Sequence, residues 1–140
     1  MNIEKNQEVK HQPEPDLNVD WFLSNLVANI NVSGGGYGIT LYCNGLIITG
    51  ELISGKEYFE SLSQNFASEE HPAETLFIEE KEQYDNLDAD PYSRTTFIHL
   101  KEARVMHIKG ESIPANGCLW RGQLSHVTGF NFGTLVTETV

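Results

Sequence analysis

The histidines of this chain are its main candidates for binding a metal ion. His99, His107 and His126 lie outside the acidic middle of the chain, and three imidazoles brought together by a fold can hold zinc. Their spacing matches neither an HxH nor an HExxH pair, in which two histidines share one face of a strand or helix. We therefore interpret them as scattered structural or surface residues and expect no metal and no other cofactor.

Two other segments resemble ion-binding loops without completing the pattern. Asp85, Asp88 and Asp90 are spaced like part of a calcium loop, but the glycine and the terminal glutamate of such a loop are missing at the right positions. Residues 33–36, with the sequence SGGG, lack the GxxxxGK[ST] pattern and lead into a strand, whereas a phosphate loop opens a helix. We interpret this segment as a flexible connector.

The candidate nucleophiles of this chain are Cys43 and Cys118. Two cysteines are too few for a disulfide framework, and both lie in strand-like surroundings where a free thiol acts as a small hydrophobic side chain. No nucleophile elbow is present, and a cysteine with a distant histidine could be suggested for any chain of this size. We expect reduced structural cysteines, no catalytic residues and no enzyme.

Four side chains are better suited to a contact with another protein. Trp120 and Arg121 are of two types in which interfaces concentrate their binding energy. Tyr58 and Phe59 form an aromatic pair that either contacts a partner or packs in the protein interior. For these aromatic residues the alternative is packing in the core, which is usual at helical spacing. The candidate interaction residues are Tyr58, Phe59, Trp120 and Arg121.

The elements that must position these residues centre on a β-hairpin at residues 39–49. Apolar and polar residues alternate over residues 39–43, the period of a strand with one buried face. Asn44-Gly45 predicts a two-residue type I′ turn, and Gly50 predicts a bulge or bend in the returning strand. A strand that curls in this way begins the closure of a small sheet into a barrel.

Helices are predicted before and after the hairpin. Asn18 or Asp20 can cap an amphipathic helix of about three turns that begins near Trp21 and either covers one end of the sheet or faces a partner. Ser54 and Glu57 form a capping box, and apolar residues after them recur at spacings of three and four. A short second helix is therefore expected after the second strand.

Three more strands complete the predicted fold. Residues 95–107 and 118–126 have the content of strands, and the second of these segments follows the turn signal Asn116-Gly117. A last strand is predicted around residues 130–136, with Gly133 as a kink. The predicted fold class is mainly β: a small, strongly bent antiparallel barrel, Sm-like or SH3-like, with an N-terminal helix and a short helix after the second strand.

Length and charge set the expected domain and partners. A chain of 140 residues suits one domain, placed at residues 18–140 after a disordered or loosely docked tail at residues 1–17. An acidic insert at about residues 67–92 carries −8 of the net charge of −11, since nine acids there oppose one lysine. This charge disfavours nucleic acid and favours a basic or amphipathic partner. Without a membrane-length apolar run or an apolar signal segment, we expect a cytoplasmic protein and no membrane.

Several motifs also occur in a recognisable order along the chain. They are Asn44-Gly45, Gly50, Ile53-Ser54, Lys56-Glu57-Tyr58-Phe59, Phe97-Ile98-His99-Leu100-Lys101, Trp120-Arg121-Gly122, Val127, Gly129-Phe130 and Gly133. With these motifs the chain resembles the gas vesicle accessory protein U family from about residue 21 to residue 135. The resemblance implies a cytoplasmic, non-enzymatic accessory protein associated with gas vesicles. It would act on vesicle shell protein, or on vesicle assembly or clustering, and bind vesicle proteins or copies of itself as a homo-oligomer.

A second resemblance concerns the fold alone. The N-terminal helix, the Asn44-Gly45 hairpin, the bent strand at Gly50 and the later Arg121-Gly122 resemble the Sm-like barrel. The aspartate and asparagine that frame its RNA-binding loop are not found after Gly50, where the capped helix stands. The alternative function is an Sm-like oligomeric barrel that binds RNA or a small ligand, and the acidic charge weighs against RNA.

Overall fold

The fold of the described residues is a β-sheet with helices on both of its sides. The computed structural model of the chain describes residues 18–67, 72–85, 87, 92–107, 109 and 111–136. In chain order the elements are α1 (Trp21–Ser33), β1 (Tyr37–Cys43), β2 (Leu46–Ile53), α2 (Gly55–Ala67), α3 (Glu74–Glu82), β3 (Phe97–Met106), β4 (Ser112–Gln123) and β5 (Gly129–Phe132). The predicted tail at residues 1–17 and part of the predicted acidic insert lie outside the described residues.

The turn between β1 and β2 forms as the sequence predicts. Asn44 and Gly45 have φ angles of 50° and 87°, the positive values that a type I′ turn needs. The two strands pair antiparallel from Cys43 opposite Leu46 to the far end of the hairpin. Because this turn fixes the register, the apolar residues of both strands fall on the same face of the sheet.

The five strands form an antiparallel sheet in the order β4-β3-β2-β1-β5. The predicted mainly β fold, with one helix before the hairpin and one after it, is confirmed. Closure into a barrel is not confirmed, because β4 and β5 lie at the two ends of the sheet. A register shift is present at Gly50, between Thr49 and Glu51, but the extra residue lies in the partner strand β3, where Glu102 has a φ of 53°, and not in β2 as predicted.

Helix α1 covers one side of the sheet, which we call the α1 face. Its N-cap is Asp20, whose carboxylate accepts hydrogen bonds from the backbone N–H groups of Phe22 at 2.8 Å and Leu23 at 3.3 Å. Leu23, Val27 and Ile30 then pack into the main core. Their partners on the sheet are Ile39, Leu41, Ile48, Leu52, Ile98 and Leu100. These side chains alternate along the strands, as expected for one buried face.

Helices α2 and α3 lie on the opposite side, which we call the α2 face. Ser54 Oγ accepts a hydrogen bond from the Glu57 N–H at 3.0 Å, which confirms the predicted cap of α2. Helix α3 lies within the predicted acidic insert, and its Phe77 ring is 5.6 Å from the Phe66 ring of α2. Between the helices and the sheet is a second, smaller apolar cluster made of Tyr58, Phe59, Leu62, Phe77, Tyr84 and Leu87.

The segment after β5 crosses the α2 face. Gly133, with a φ of 98°, follows the end of β5, so this strand is shorter than the predicted segment 130–136 and the predicted kink is present. Thr40 Oγ1 donates to the Gly133 carbonyl at 2.8 Å, and Thr49 Oγ1 accepts from the Leu135 N–H at 2.9 Å. These hydrogen bonds lead the chain away from the outer edge of β5.

Strand β4 is longer than predicted and contains the Asn116-Gly117 pair. The sequence predicts a turn at this pair, but pairing with β3 holds it within the strand as an irregularity in the register. Gly117 has a φ of 78°, and a Cβ there would lie 2.8 Å from backbone atoms of Glu102. The predicted end of the strand is instead a 3-10 turn, Leu124–His126.

Candidate interaction surfaces

Three of the four predicted interaction residues gather around one buried histidine. The rings of Tyr58 and Phe59, at the start of α2, lie 4.7 and 5.9 Å from the ring of His99, measured between centroids. The Tyr84 ring also packs against His99, with 6.4 Å between the ring centroids. The His99 side chain is 1% exposed. Arg121 joins the group because β3 and β4 pair in the register that places it opposite His99. We call this group the His99 cluster.

The imidazole of His99 is neutral in this environment. Among the described residues, neither ring nitrogen has a hydrogen-bond partner. Burial, together with the positive charge of Arg121, lowers the pKa of His99 from 6.5 to about 3. The phenols of Tyr58 and Tyr84 have raised pKa values, chiefly because they are buried. Near neutral pH these three groups are therefore uncharged; Tyr58 packs α2 against His99 of β3, and Tyr84, which follows α3, packs against the same ring.

Arg121 lies at the surface of the His99 cluster, while Trp120 lies on the other side of the sheet. The guanidinium carbon of Arg121 is 3.8 Å from the centroid of the Phe97 ring and 5.4 Å from that of Phe59, which are cation–π distances. Trp120 packs against the main core, and a Cβ at Gly122 would overlap its ring. Trp120 and Phe59 thus have the surroundings of core residues, whereas Arg121 is exposed.

Polar contacts hold α2 in place over His99. Lys101 Nζ donates to Glu57 Oε2 at 2.9 Å, and this hydrogen bond raises the pKa of Lys101. Asn31, buried near the end of α1, donates from Nδ2 to the Arg94 carbonyl and accepts at Oδ1 from the Gly55 N–H, both at 3.0 Å. One amide side chain therefore connects α1, the start of α2 and the segment before β3.

A second group of aromatic side chains lies at the other end of the sheet. Five rings touch in sequence and form a surface that we call the aromatic row: Trp21, Phe22, Phe130, Phe132 and Tyr37. The centroids of successive rings are 5.9, 6.3, 5.8 and 6.3 Å apart. Trp21 is 70% exposed and Phe132 is 55% exposed. None of these five was among the predicted interaction residues.

The aromatic row belongs to an uncharged part of the chain. Residues 21–50 and 122–136 contain no Asp, Glu, Lys or Arg, although the whole chain has a net charge of −11. These ranges contain α1, β1, β5 and much of β2. Asp20 adjoins the row, and its carboxylate is engaged in capping α1. Exposed aromatic residues without charges among them are typical of a contact surface.

The absence of charge is a signal that sequence reasoning could have used to find the row. The proximity of the five rings, in contrast, depends on two features of the tertiary structure. Strand β5 pairs with β1, with Phe132 opposite Ile39, and this brings Phe132 beside Tyr37. The start of α1 lies over the same strand, so the Phe22 ring stacks on Phe130. Residues more than a hundred positions apart thus form one surface.

An open groove of about 750 Å³ adjoins the aromatic row at Trp21. It is lined by residues 18–21, around the start of α1, and by residues 125–128, between β4 and β5. Ser125 and His126 are exposed in this lining, next to the exposed indole, whereas the Thr128 hydroxyl donates to the Tyr42 carbonyl. A bound segment could therefore combine apolar contact with the row and hydrogen bonds in the groove.

The candidate metal ligands are not brought together in the part of the chain that the structure describes. No group of three or more His, Cys, Asp or Glu side chains there could hold a metal ion. His99 lies under α2, His107 follows β3, and His126 lies in the turn before β5. Asp88 and Asp90, with the calcium-like spacing, lie outside the described residues.

Both surfaces fall within a region that matches a known protein family. A family model described as gas vesicle protein GvpU-like matches residues 20–135, which is most of the chain. The chain belongs to the GvpU-like family. The resemblance to the gas vesicle accessory protein U family is thereby confirmed at the level of the family, and the GvpU-like region contains the His99 cluster and the aromatic row alike.

No curated protein and no solved structure matches this GvpU-like chain. The resemblance to an Sm-like barrel is therefore not confirmed. Across the described ranges of this GvpU-like protein, no helix is long and apolar enough to cross a membrane.

Proposed function

We propose that this protein is a cytoplasmic, non-enzymatic accessory protein of gas vesicles that binds vesicle shell protein through the aromatic row. Membership of the GvpU-like family supports the gas vesicle as its setting. The observation that carries the proposed contact is the exposure of the row, with Trp21 70% exposed at one end. Interfaces concentrate their binding energy in a few large aromatic and arginine side chains, and Trp is prominent among them.

The chemistry of the aromatic row specifies the partner segment. It should be apolar and carry little negative charge, because an acidic segment would be repelled by the net charge of −11. Burying one large aromatic side chain contributes roughly 1.5–3 kcal/mol, so a partner that covers Trp21 and its neighbours gains useful affinity. The charged remainder of the molecule would then face the solvent around the vesicle.

The predicted residues Tyr58, Phe59, Trp120 and Arg121 remain a second proposed contact. Arg121 is the most suitable of them, because its guanidinium is exposed while it rests on Phe97. The other three contribute to packing in the His99 cluster or the main core. Arg121→Ala is thus the variant that tests this contact without opening the core.

Flotation with intact gas vesicles tests the proposal directly. Purified protein is mixed with vesicles, the vesicles are allowed to rise, and the protein in the buoyant layer is measured at increasing protein concentration. We expect saturable binding by the wild type and a loss of affinity of about tenfold or more for Trp21→Ala. Leu76→Ala is the matched control, because Leu76 is also an exposed apolar residue, at 55%, and lies on α3 outside the row.

Each other outcome of the flotation assay contradicts the proposal. Equal flotation of wild type and Trp21→Ala would show that the aromatic row is not the contact with the vesicle. Loss of flotation with Arg121→Ala, but not with Trp21→Ala, moves the contact to the β4 side of the molecule. An absence of flotation by the wild type refutes shell binding altogether. Circular dichroism of each variant shows that it is folded.

The alternative, an Sm-like oligomer that binds RNA or a small ligand, gains no support from the geometry. RNA binding begins with cations that are free to meet phosphates. Lys101 is bonded to Glu57, Lys56 pairs with Asp85, and the exposed Arg121 belongs to a chain whose net charge is −11. The aromatic row carries no cation.

A further inference from the structure

Strand β5 has an open edge that exposes backbone groups in a defined order. It is the last strand of the sheet and pairs only with β1 within the described part of the chain. The Gly133 N–H, just beyond β5, donates to the Gly38 carbonyl at 2.8 Å. Because successive residues of a strand point their backbone groups to opposite sides, Asn131 faces β1 and its neighbours Phe130 and Phe132 face outward.

Among the described residues, the outward backbone groups of Phe130 and Phe132 have at most one weak hydrogen bond. The Phe132 carbonyl is met by Asn131 Nδ2 at 3.4 Å, which is a long hydrogen bond. Asn131 Oδ1 is engaged on the α2 face, where it accepts from Tyr42 Oη at 2.7 Å. After Gly133 the chain turns onto the α2 face and does not run along the β5 edge. Within the described residues, which end at Val136, no segment covers this edge, so a strand from another molecule can pair with it.

The two edges of the sheet differ in how they are protected. Natural edge strands avoid pairing with other chains by means of proline, charged side chains or bulges. Strand β4 has all three, with Pro114, Arg121 and register shifts against β3. Strand β5 has the sequence GFNF, without proline or charge. Strand β5 is short, at four residues, which is itself one protection of an edge, but it lacks the proline, charge and register shifts of the β4 edge.

Electrostatics favour a second copy of this chain as the occupant of the β5 edge. Two molecules that each carry −11 repel one another over most orientations. Repulsion is least where the uncharged parts meet, and residues 122–136, which include β5, contain no Asp, Glu, Lys or Arg. The rest of the aromatic row, on α1 and β1, belongs to residues 21–50, which are also uncharged.

We propose that β5 pairs antiparallel with β5 of a second copy, about a two-fold axis at Asn131, to form one continuous sheet across a homodimer. This pairing places Phe130 of each copy opposite Phe132 of the other. Each such pair exchanges both of its outward backbone hydrogen bonds, and the facing Phe side chains form a cross-strand aromatic contact. The symmetry is self-complementary, as required for a closed dimer. The dimer goes beyond the proposed vesicle contact and does not depend on it.

Sedimentation equilibrium of the full chain tests this interface. We expect a reversible monomer–dimer equilibrium for the wild type and a weakening of about a hundredfold or more for Phe132→Lys, which places a charge on the uncharged edge. Ile113→Lys is the matched control and should dimerise like the wild type. Ile113 is 63% exposed, close to the 55% of Phe132, and lies on the opposite edge strand β4.

Hydrogen exchange of the wild type keeps the proposal testable if Phe132→Lys does not fold. The amides of Phe130 and Phe132 should exchange more slowly as the protein concentration rises, because only the dimer engages them. A wild type that stays monomeric, or amides that are insensitive to concentration, would overturn the proposal. So would closed assemblies larger than a dimer, which require β5 to pair with β4, or equal weakening by Ile113→Lys.

The proposed vesicle contact and the proposed β5 dimer can be refuted independently of each other. Trp21→Ala should leave the dimer intact in sedimentation, since its side chain lies on α1 and the backbone pairing of β5 is unchanged. A dimer that dissociates with Trp21→Ala would place the interface on α1 and refute the pairing through β5. Absence of flotation by a dimeric wild type would refute the vesicle contact alone.

Discussion

At the scale of single residues, His99 shows how a polar ring is used as an apolar one. It lies 1% exposed among Tyr58, Phe59 and Tyr84, and neither nitrogen has a hydrogen-bond partner among the described residues. Leaving polar atoms unpaired in the interior costs free energy, and a charged imidazole there would cost far more. The site therefore accepts the neutral ring and opposes its protonation, an effect that the nearby Arg121 guanidinium reinforces.

The pKa of His99 predicts a loss of stability in acid. The unfolded chain takes up a proton near pH 6.5, whereas the folded protein does so only near pH 3, so the unfolded state is favoured as the pH falls through that window. Between pH 7 and pH 5 this one group should lower the free energy of unfolding by about 2 kcal/mol. Urea unfolding at the two pH values measures the change.

His99→Phe is the control for the acid effect, because it keeps an aromatic ring of similar shape without a titratable group. All other acids and histidines titrate in both proteins, so the difference between their pH dependences isolates His99. The variant has no group to protonate at this site, so its loss of unfolding free energy between pH 7 and pH 5 should be smaller than that of the wild type by about 2 kcal/mol. Identical pH dependences in the two proteins would show that His99 has an ordinary pKa.

At the scale of elements, Asn31 connects parts of the chain that have no strand pairing with one another. Its side chain satisfies the Arg94 carbonyl before β3 and the Gly55 N–H at the first residue of α2. Both bonds are 3.0 Å long, and Asn31 is buried. The position of α2 over His99 therefore depends on an amide side chain from α1 as well as on apolar packing.

Replacing Asn31 by alanine should destabilise the protein strongly. Asn31→Ala leaves a buried backbone donor and a backbone acceptor without their partner, and we expect the free energy of unfolding to fall by about 2–4 kcal/mol. Asn25→Ala is the matched control, since Asn25 is exposed on the same helix and the gain in helix propensity is the same. Urea unfolding of both variants measures the difference. Equal stability of the two would mean that the Asn31 bridge contributes nothing.

Elements with local signals could be predicted from the sequence. The Asn44-Gly45 turn, the Asp20 cap of α1 and the Ser54 cap of α2 each depend on residues a few positions apart, and all three form. The Asn116-Gly117 pair carries the same local signal as the first turn. It lies within β4 because the longer-range pairing with β3 places Gly117 against Glu102.

The candidate sites depended on contacts that local patterns do not encode. Tyr58, Phe59 and Arg121 meet only because β3 and β4 pair with His99 opposite Arg121. Trp120, the neighbour of Arg121 in the sequence, is carried to the other face by the alternation of the strand. The aromatic row likewise depends on the pairing of β5 with β1. Residue types identified the candidates, and strand register decided which of them meet.

At the scale of the whole molecule, the charged side chains are concentrated in one part of the chain, and residues 21–50 and 122–136, on either side of it, carry none. Residues 51–121 contain the acids of α2 and α3 and all the cations of the described residues. The aromatic row and the β5 edge belong to ranges without charged side chains. Such a division lets like-charged copies meet at one end of the sheet while the acidic helices stay apart, so charge opposes association at long range without opposing the contact itself.

This division predicts that salt strengthens self-association. Salt shortens the screening length from about 10 Å at 0.1 M to about 3 Å at 1 M, which reduces repulsion between the acidic helices and leaves the uncharged edge unaffected. The dimer affinity should rise by about threefold or more over that range, measured by sedimentation equilibrium. A contact made of ion pairs, such as one through Arg121 and an acidic helix, would weaken instead.

A charge variant separates screening from a general effect of salt on apolar surfaces. Glu79→Gln with Glu82→Gln removes two exposed acids from α3 and changes the net charge from −11 to −9. At low salt this variant should dimerise more tightly than the wild type, and its affinity should depend less on salt, because it begins with less repulsion. If the two proteins have the same salt dependence, repulsion between the acidic helices does not limit association, and the division of charge has no part in the assembly of this protein.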